Sequence, residues 1–349
     1  MFEYISFFER VEDLHVKLDS GRYLFFVAEN TDITPLSTLK EIVFTGAIFP
    51  RLLFQNTIHD QGVIVAKMSD ATSYQIIPMD ELNQLHVDNE MNSILAIIDG
   101  YSTLTEHFLE LLYALLPEQS KLVGAGAGKT KLDAPEPVLF DHEKLYTNYA
   151  IVISSKQTIG LGVKHGWKPV MGPFIATHSD GNILQKINFK DAYQVYQTTV
   201  ERVSAFRFNT TPFMTIAQRF PLGIVRYNKD FILREPISTD GSNLVLVAKI
   251  DPNSVLSILE ATNDDLIQAA GDAAANAYYE HPLCSSVLVI DCISRFYFLE
   301  NAYPEELHAI RNVYPNDVIL WGVLSLGEIA NANQEGIEFY NNTCVVGTL

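Results

Sequence analysis

The chain has 349 residues, 48% hydrophobic and 19% charged, which is enough for two domains or one large pseudo-symmetric unit with a full core. Its net charge, 24 − 42 = −18, repels phosphate backbones and anionic lipid, so nucleic-acid binding is excluded as an expected function. No run reaches the ~20 apolar residues of a membrane span, no signal peptide is evident, and Cys284, Cys292 and Cys344 are too far apart for a disulfide framework or a CxxC metal pair, so a cytosolic protein without membrane insertion is expected.

Taken in chain order, residues 23–28 predict a strand. Thr34-Pro35 opens a helix that ends near Thr45-Gly46, with proline early and glycine just past the end. Strands follow over 49–54 and 62–67. The apolar run 94–98 stops at Asp99-Gly100, an amphipathic segment carries Phe108, Leu111, Leu112 and Leu115, and Lys121-Leu122-Val123 leads into Gly124-Ala125-Gly126-Ala127-Gly128. Strands over 138–140 and 150–153 close this unit.

From 158 to 235 the texture is that of an antiparallel insertion. Strands are predicted over 158–170 and 173–189, with Asp180-Gly181 suited to a tight hairpin turn. Asp191 caps an amphipathic helix running to Val203. A second hairpin joins 222–226 to 231–235 across Tyr227-Asn228-Lys229-Asp230. The polar stretch 208–212 is the expected boundary, dividing 1–207 from 208–349. Beyond it come a strand over 244–250, a helix over 252–259, and a longer helix over 263–278 capped by Asn263, with Asp264 and Asp265 matching its dipole.

The tail, 286–349, repeats the pattern of 93–155. Val287-Leu288-Val289-Ile290 ends at Asp291-Cys292, a helical segment carries Leu307 and Ile310, and Val318-Ile319-Leu320-Trp321 stops at Ser325-Leu326-Gly327-Glu328. The offsets, 291 − 99 = 192 and 322 − 124 = 198, argue for internal duplication. Strand runs this continuous are covered on both faces. The fold class is therefore α/β, two pseudo-repeated halves with an α+β insertion. Polar groups at the carboxyl ends of parallel strands point toward a ligand crevice.

Asp99, Gly124, Gly126, Asp291, Cys292, Arg295, Gly327 and Glu328 are the candidate ligand-binding residues. Arg295 could hold a carboxylate with its two-pronged guanidinium, or only neutralise Asp291 or Glu328. A phosphate loop is excluded: the motif requires glycine at position 123, where Val123 stands, and the Lys131 to Pro137 stretch cannot start a helix. No metal-ligand spacing occurs among the nine histidines, and CxxCH is missing. A non-covalent haem needs one axial histidine, for which His165 and His178 are the candidates. No nucleophile elbow is present, so an enzyme would have to rely on the strand-end carboxylates, and a binding role is preferred.

Asp291-Cys292-Ile293-Ser294-Arg295, Gly327-Glu328-Ile329 and Asn342-Thr343 resemble the carboxy-terminal motifs of FIST-domain sensory proteins. Asp99-Gly100, the glycine run 124–128, His165-Gly166-Trp167-Lys168-Pro169 and Asp191-Ala192 resemble the amino-terminal half of that prokaryotic family. The likeness spans roughly 21–349 and departs at Thr45-Gly46-Ala47-Ile48-Phe49, where many members have a small-residue turn with an acidic group. It implies a stand-alone cytosolic sensor of a small molecule, with output through a separate signalling protein such as a histidine kinase. One branch of the family is described as haem-binding nitric-oxide sensors; other members were proposed to sense amino acids or related metabolites.

Overall fold

The computed structural model describes residues 1–40, 42–130, 136–226, 230–332 and 336–349, with the side chains of Val16 and Gln84 also left undescribed. The expected turn over Tyr227-Asn228-Lys229 and the start of the 131–137 stretch lie outside the described residues.

The two units expected as a duplication are joined by a third, at the start of the chain, in building the body. The first holds β1 (Phe2–Phe8), α1 (Leu14–Lys17), β2 (Arg22–Ala28), β3 (Val43–Phe49), β4 (Arg51–Phe54), β5 (Thr57–His59) and β6 (Val63–Met68). The second holds β7 (Thr72–Pro78), β8 (Ser93–Asp99), α2 (Thr105–Leu115), β9 (Lys121–Ala127), β10 (Leu139–Asp141), β11 (Leu145–Tyr146) and β12 (Tyr149–Ser155). The third opens with β13 (Gly160–Lys164) and is interrupted by an insertion. That insertion contains β14 (Lys168–Asp180), β15 (Ile183–Ile187), β16 (Lys190–Asp191), α3 (Ala192–Val203), α4 (Phe213–Ala217), β17 (Leu222–Val225), β18 (Phe231–Arg234), β19 (Pro236–Thr239), β20 (Leu244–Leu246), β21 (Val255–Glu260) and α5 (Asn263–Glu280). The third repeat then resumes with β22 (Ser286–Cys292), α6 (Ile293–Leu299), α7 (Tyr303–Arg311), β23 (Ile319–Ser325), β24 (Glu328–Ala330), β25 (Glu338–Tyr340) and β26 (Cys344–Thr348).

Each repeat makes the same pairings. A parallel pair (β2 with β3, β8 with β9, β22 with β23) is flanked by an antiparallel return strand (β6, β12, β26), which is bordered by the opening strand (β1, β7, β13). The short hairpins β4–β5, β10–β11 and β24–β25 leave their own sheets. They pair antiparallel with the second parallel strand of another repeat: β4 with β23, β10 with β3, β24 with β9. The exchange is cyclic, so three six-stranded sheets interlock.

One residue type marks the repeat. Gly46, Gly124 and Gly322 sit at the same register position, directly opposite Phe25, Ala96 and Val289. A Cβ at these glycines would lie 2.7, 2.3 and 1.8 Å from the facing carbonyl oxygen. β3, β9 and β23 also touch one another, so the three sheets share one core where Phe26 stacks 5.4 Å from Trp321. Outside this core, α2 covers the second sheet through Phe108 and Leu112, and α5 and α7 cover the third through Leu266, Ala270 and Leu307.

The register also corrects the duplication. Ala96 matches Val289, an offset of 289 − 96 = 193, so Asp291 corresponds to Ile98 and Cys292 to Asp99. The helix expected from Thr34 to Thr45 is only a 3-10 turn over Thr34–Thr38, and residues 43–49 are β3, whose both-face burial gave it an apolar run without alternation. The helix expected over 252–259 is instead β21. Val255, Leu256, Ile258 and Leu259 match helical spacing, but pairing with β14 on one side and β17 on the other decides the outcome. β13 leaves the predicted insertion to join β26, while β14 and β15 form the expected hairpin with Gly181 at φ +55°. The cap of α5 is Thr262 rather than Asn263. Asp265 N–H donates to Thr262 Oγ1 at 3.2 Å, and Thr262 N–H donates to Asp265 Oδ2 at 3.0 Å.

The insertion is an eight-stranded sheet ordered β18-β17-β21-β14-β15-β20-β19, with β16 on β15. α3 lays Tyr196 and Val200 onto Leu184, Leu256 and Ile258. The whole is α/β with a largely antiparallel α+β insertion.

Candidate functional site

The repeats show where the third has been altered chemically. Asp291 occupies the position of Val27 and Ile98, since these pair with Cys344, Val63 and Ala150 respectively. Glu328 occupies the position of Leu52 and Leu139, each paired one residue beyond the repeat glycine. Two buried aliphatic positions have thus become buried acids, a costly exchange unless every lone pair is met.

It is met. Asp291 accepts from Tyr303 Oη at 2.6 Å and from Cys292 N–H at 3.0 Å, and forms an ion pair with Arg295 Nε 3.0 Å away. Arg295 also donates to Glu306 at 2.7 and 3.2 Å and to the carbonyls of His165, Leu266 and Asn342 at 2.7, 3.0 and 3.4 Å. Burial works against its charge, yet Glu306 and Asp291 outweigh burial and hold the guanidinium protonated. Arg295 is 0% exposed, so its fork is spent on the interior and none of it faces solvent.

Glu328 accepts from Ser325 Oγ at 2.7 Å and from Thr343 N–H at 3.3 Å. Burial pushes its carboxyl well above the usual carboxylate range. Burial also raises Glu235, which accepts from Asn342 Nδ2 at 2.9 Å. Burial first, then Glu328 and Glu235, pushes the Cys292 thiol up, leaving it an unreactive interior group. Asp291, Cys292, Arg295 and Glu328 therefore come together, but as a sealed polar core beneath α6.

The other sequence candidates gather one strand away. Gly126 N–H donates to the Gly327 carbonyl at 2.8 Å, Leu326 N–H returns to Gly126 at 3.0 Å, and a Cβ on Gly126 would lie 3.3 Å from Gly100 Cα. Asp99 anchors this turn, accepting from Tyr101 N–H at 3.1 Å and Asn148 N–H at 2.7 Å. Gly124 is set apart, inside β9, where it serves the close strand approach. Glu328 follows Gly327 directly, so β24 joins the two groups.

Above these glycines, at the carboxyl ends of β8 and β9, a crevice of about 500 Å³ opens. Ser102, Thr103, Glu106, Lys249, Leu326 and Phe339 line it, with the first turn of α2 on one wall. Burial raises the Glu106 carboxyl against the pull of Arg234, 3.3 Å away. Arg234 is itself buried and holds the far wall through Lys249 and Phe339 carbonyls at 2.8 and 3.1 Å.

Haem does not fit the candidate histidines. Trp167 N–H donates to His165 Nδ1 at 2.9 Å, so the ring proton sits on Nε2, which donates to Asp230 at 3.0 Å; both nitrogens are taken. His178 stands exposed on β14, away from any apolar enclosure. Among the described residues no group of three His, Cys, Asp or Glu is placed to hold a metal ion, and no helix is long and apolar enough to cross a membrane.

Glu235, Tyr303 and Glu306 were not legible as site residues. Glu306 read as an ordinary first-turn acid of α7, and Glu235 as the end of a hairpin strand. Neither acid lies on a repeat strand, so no pattern in the chain singles it out.

Comparison with known proteins adds the family. No curated protein matches the chain. Residues 28–190 match the FIST N domain and residues 192–331 the FIST C domain, the two meeting at the start of α3. The chain belongs to the FIST family, whose domains sense small ligands in signal transduction.

Proposed function

We propose that this protein senses a small polar molecule bound in the crevice over β8 and β9, and acts in trans on a separate cytosolic signalling protein such as a histidine kinase. One observation carries the reading: the crevice takes its walls from both matched halves. Gly100, Ser102, Thr103, Glu106, Gly181 and Asn182 come from the first; Val247, Ala248, Lys249 and Leu326 come from the second. A ligand touching both has different contacts if either half moves, which is what a sensor needs to bias a conformational equilibrium.

The lining suits a ligand with both donors and acceptors. Ser102, Thr103 and Thr105 supply hydroxyls, the α2 amino terminus supplies N–H groups, and Glu106 and Lys249 supply a carboxyl and an ammonium. Asp291 and Arg295, sealed below, tie α6 to α7, α5 and the turn before β26. The strand-end carboxylates Asp291 and Glu328 are each 0% exposed, so they do not support acid–base turnover of a crevice ligand.

The test is a thermal-shift screen of small polar metabolites against wild type and Val247→Trp. Val247 is 38% exposed, so the larger ring fills the crevice without entering the core. The reading expects stabilising compounds for wild type that lose their effect on the variant. A compound that stabilises both equally binds elsewhere and rejects the crevice.

A further inference from the structure

The repeats also reveal a seam that an aromatic pair closes in the first copy and that is open in the third. Phe7, Ile76 and Val163 are equivalent, paired with Ile64, Ile151 and Val345 of the return strands. His59, Tyr146 and Tyr340 are likewise equivalent, paired with Leu52, Leu139 and Glu328. In the first repeat Phe7 stacks on His59 with ring centroids 3.8 Å apart, closing the gap between β1 and β5. In the second, Tyr146 donates its hydroxyl to Asp141 and packs 4.8 Å from Tyr149.

In the third repeat valine stands where phenylalanine filled the seam, and a cleft of about 370 Å³ lies between β13 and β25. Tyr340 lines it while only 7% exposed, and its hydroxyl makes no hydrogen bond among the described residues. This hydroxyl, on a largely buried side chain, opens onto a cleft that also presents Asp230, Glu280 and Glu338, with the rings of Phe231 and Tyr279. Among the described residues the cations Lys164 and Arg226 share the lining. Arg226 pairs with Glu338 where both side chains are substantially exposed, a pairing that contributes little and is readily exchanged. Lys121 and Leu161 N–H occupy one oxygen of Glu280, at 2.7 and 2.8 Å, and a carboxylate offers about four acceptor sites.

The geometry points to a second ligand site in the β13–β25 seam, for a small organic cation bearing an alkylammonium or guanidinium group. Its N–H groups would meet the Tyr340 hydroxyl oxygen and the Glu338 carboxylate, and its charge would lie against the aromatic rings. The site goes beyond the crevice reading and does not depend on it. Alternation along β25 sends Phe339 to the crevice and Glu338 and Tyr340 to the seam.

Calorimetric titration of the full chain with putrescine and with agmatine at low salt tests this, with acetate and glycerol as controls. The expected result is saturable binding of at least one amine and of neither control. Tyr340→Phe, which removes a single oxygen, weakens it about tenfold. Val163→Phe, which restores the filling of the first repeat, abolishes it, and Val247→Trp in the crevice leaves it unchanged. Failure of both amines to saturate, equal binding of acetate, or binding indifferent to Tyr340→Phe and Val163→Phe would each overturn the proposal.

Discussion

Gly322 and Val289 face each other across β23 and β22 so closely that a Cβ on the glycine would lie 1.8 Å from the Val289 carbonyl oxygen. Both atoms belong to backbone, so no rotamer relieves the clash. Gly322→Ala is expected to cost more than about 3 kcal/mol, at the upper end of overpacking. Gly271, within α5, has no neighbour nearer than 3.6 Å to its would-be Cβ, so Gly271→Ala should stabilise by about 0.5–1 kcal/mol. Urea midpoints of the two variants check the pair; a tolerated Gly322→Ala would contradict the strand packing described for the three repeats.

Arg295 and Glu306 are both 0% exposed and share two hydrogen bonds. Removing Glu306 takes away the acceptors of two guanidinium N–H groups in the interior and leaves Asp291 as the acid beside Arg295. Glu306→Ala is therefore predicted to lose about 3–5 kcal/mol, whereas a double Arg295→Met, Glu306→Leu variant should recover much of that loss. Denaturant unfolding of both chains measures the difference, and a mild single mutant would show that water reaches the pair.

Glu328 carries a pH signature. Its folded pKa is raised by burial, so below the unfolded value of about 4.3 both states hold the proton and its stability contribution is fully present. As pH rises the unfolded chain releases the proton first. Stability then falls by up to about 1.4 kcal/mol per pH unit until the folded pKa is passed. Glu328→Gln should flatten that slope and be no less stable than wild type at pH 8. An unchanged slope would mean that the carboxylate is ionised in the folded chain.

Much of the fold could be read from the chain because covered strands give unbroken apolar runs. Residues 94–98 and 287–290 announced β8 and β22, and the periodicity over 191–203 and 263–278 announced α3 and α5. The first repeat escaped because its crossover is a 3-10 turn, and because Val27 stands where Asp291 marks the third strand tip. β1 and β7 escaped as well, being edge strands of mixed exposure. The shared signature is a glycine followed by alanine or valine inside an apolar strand, at Gly46-Ala47, Gly124-Ala125 and Gly322-Val323. At the site, sequence gathered Gly126 with Gly327, and Asp291 with Arg295. Only coordinates could show that the second group is sealed, because Glu306 reaches Arg295 from a separate helix and Leu266 from another.

The crevice over β8 and β9 is where sensing is placed, and native mass spectrometry of the protein as purified, beside Val247→Trp, examines that placement. A small molecule should travel with the wild-type chain and be missing from the variant, with the fold of both intact by circular dichroism. The same molecule riding on both chains would contradict a ligand seated in that crevice.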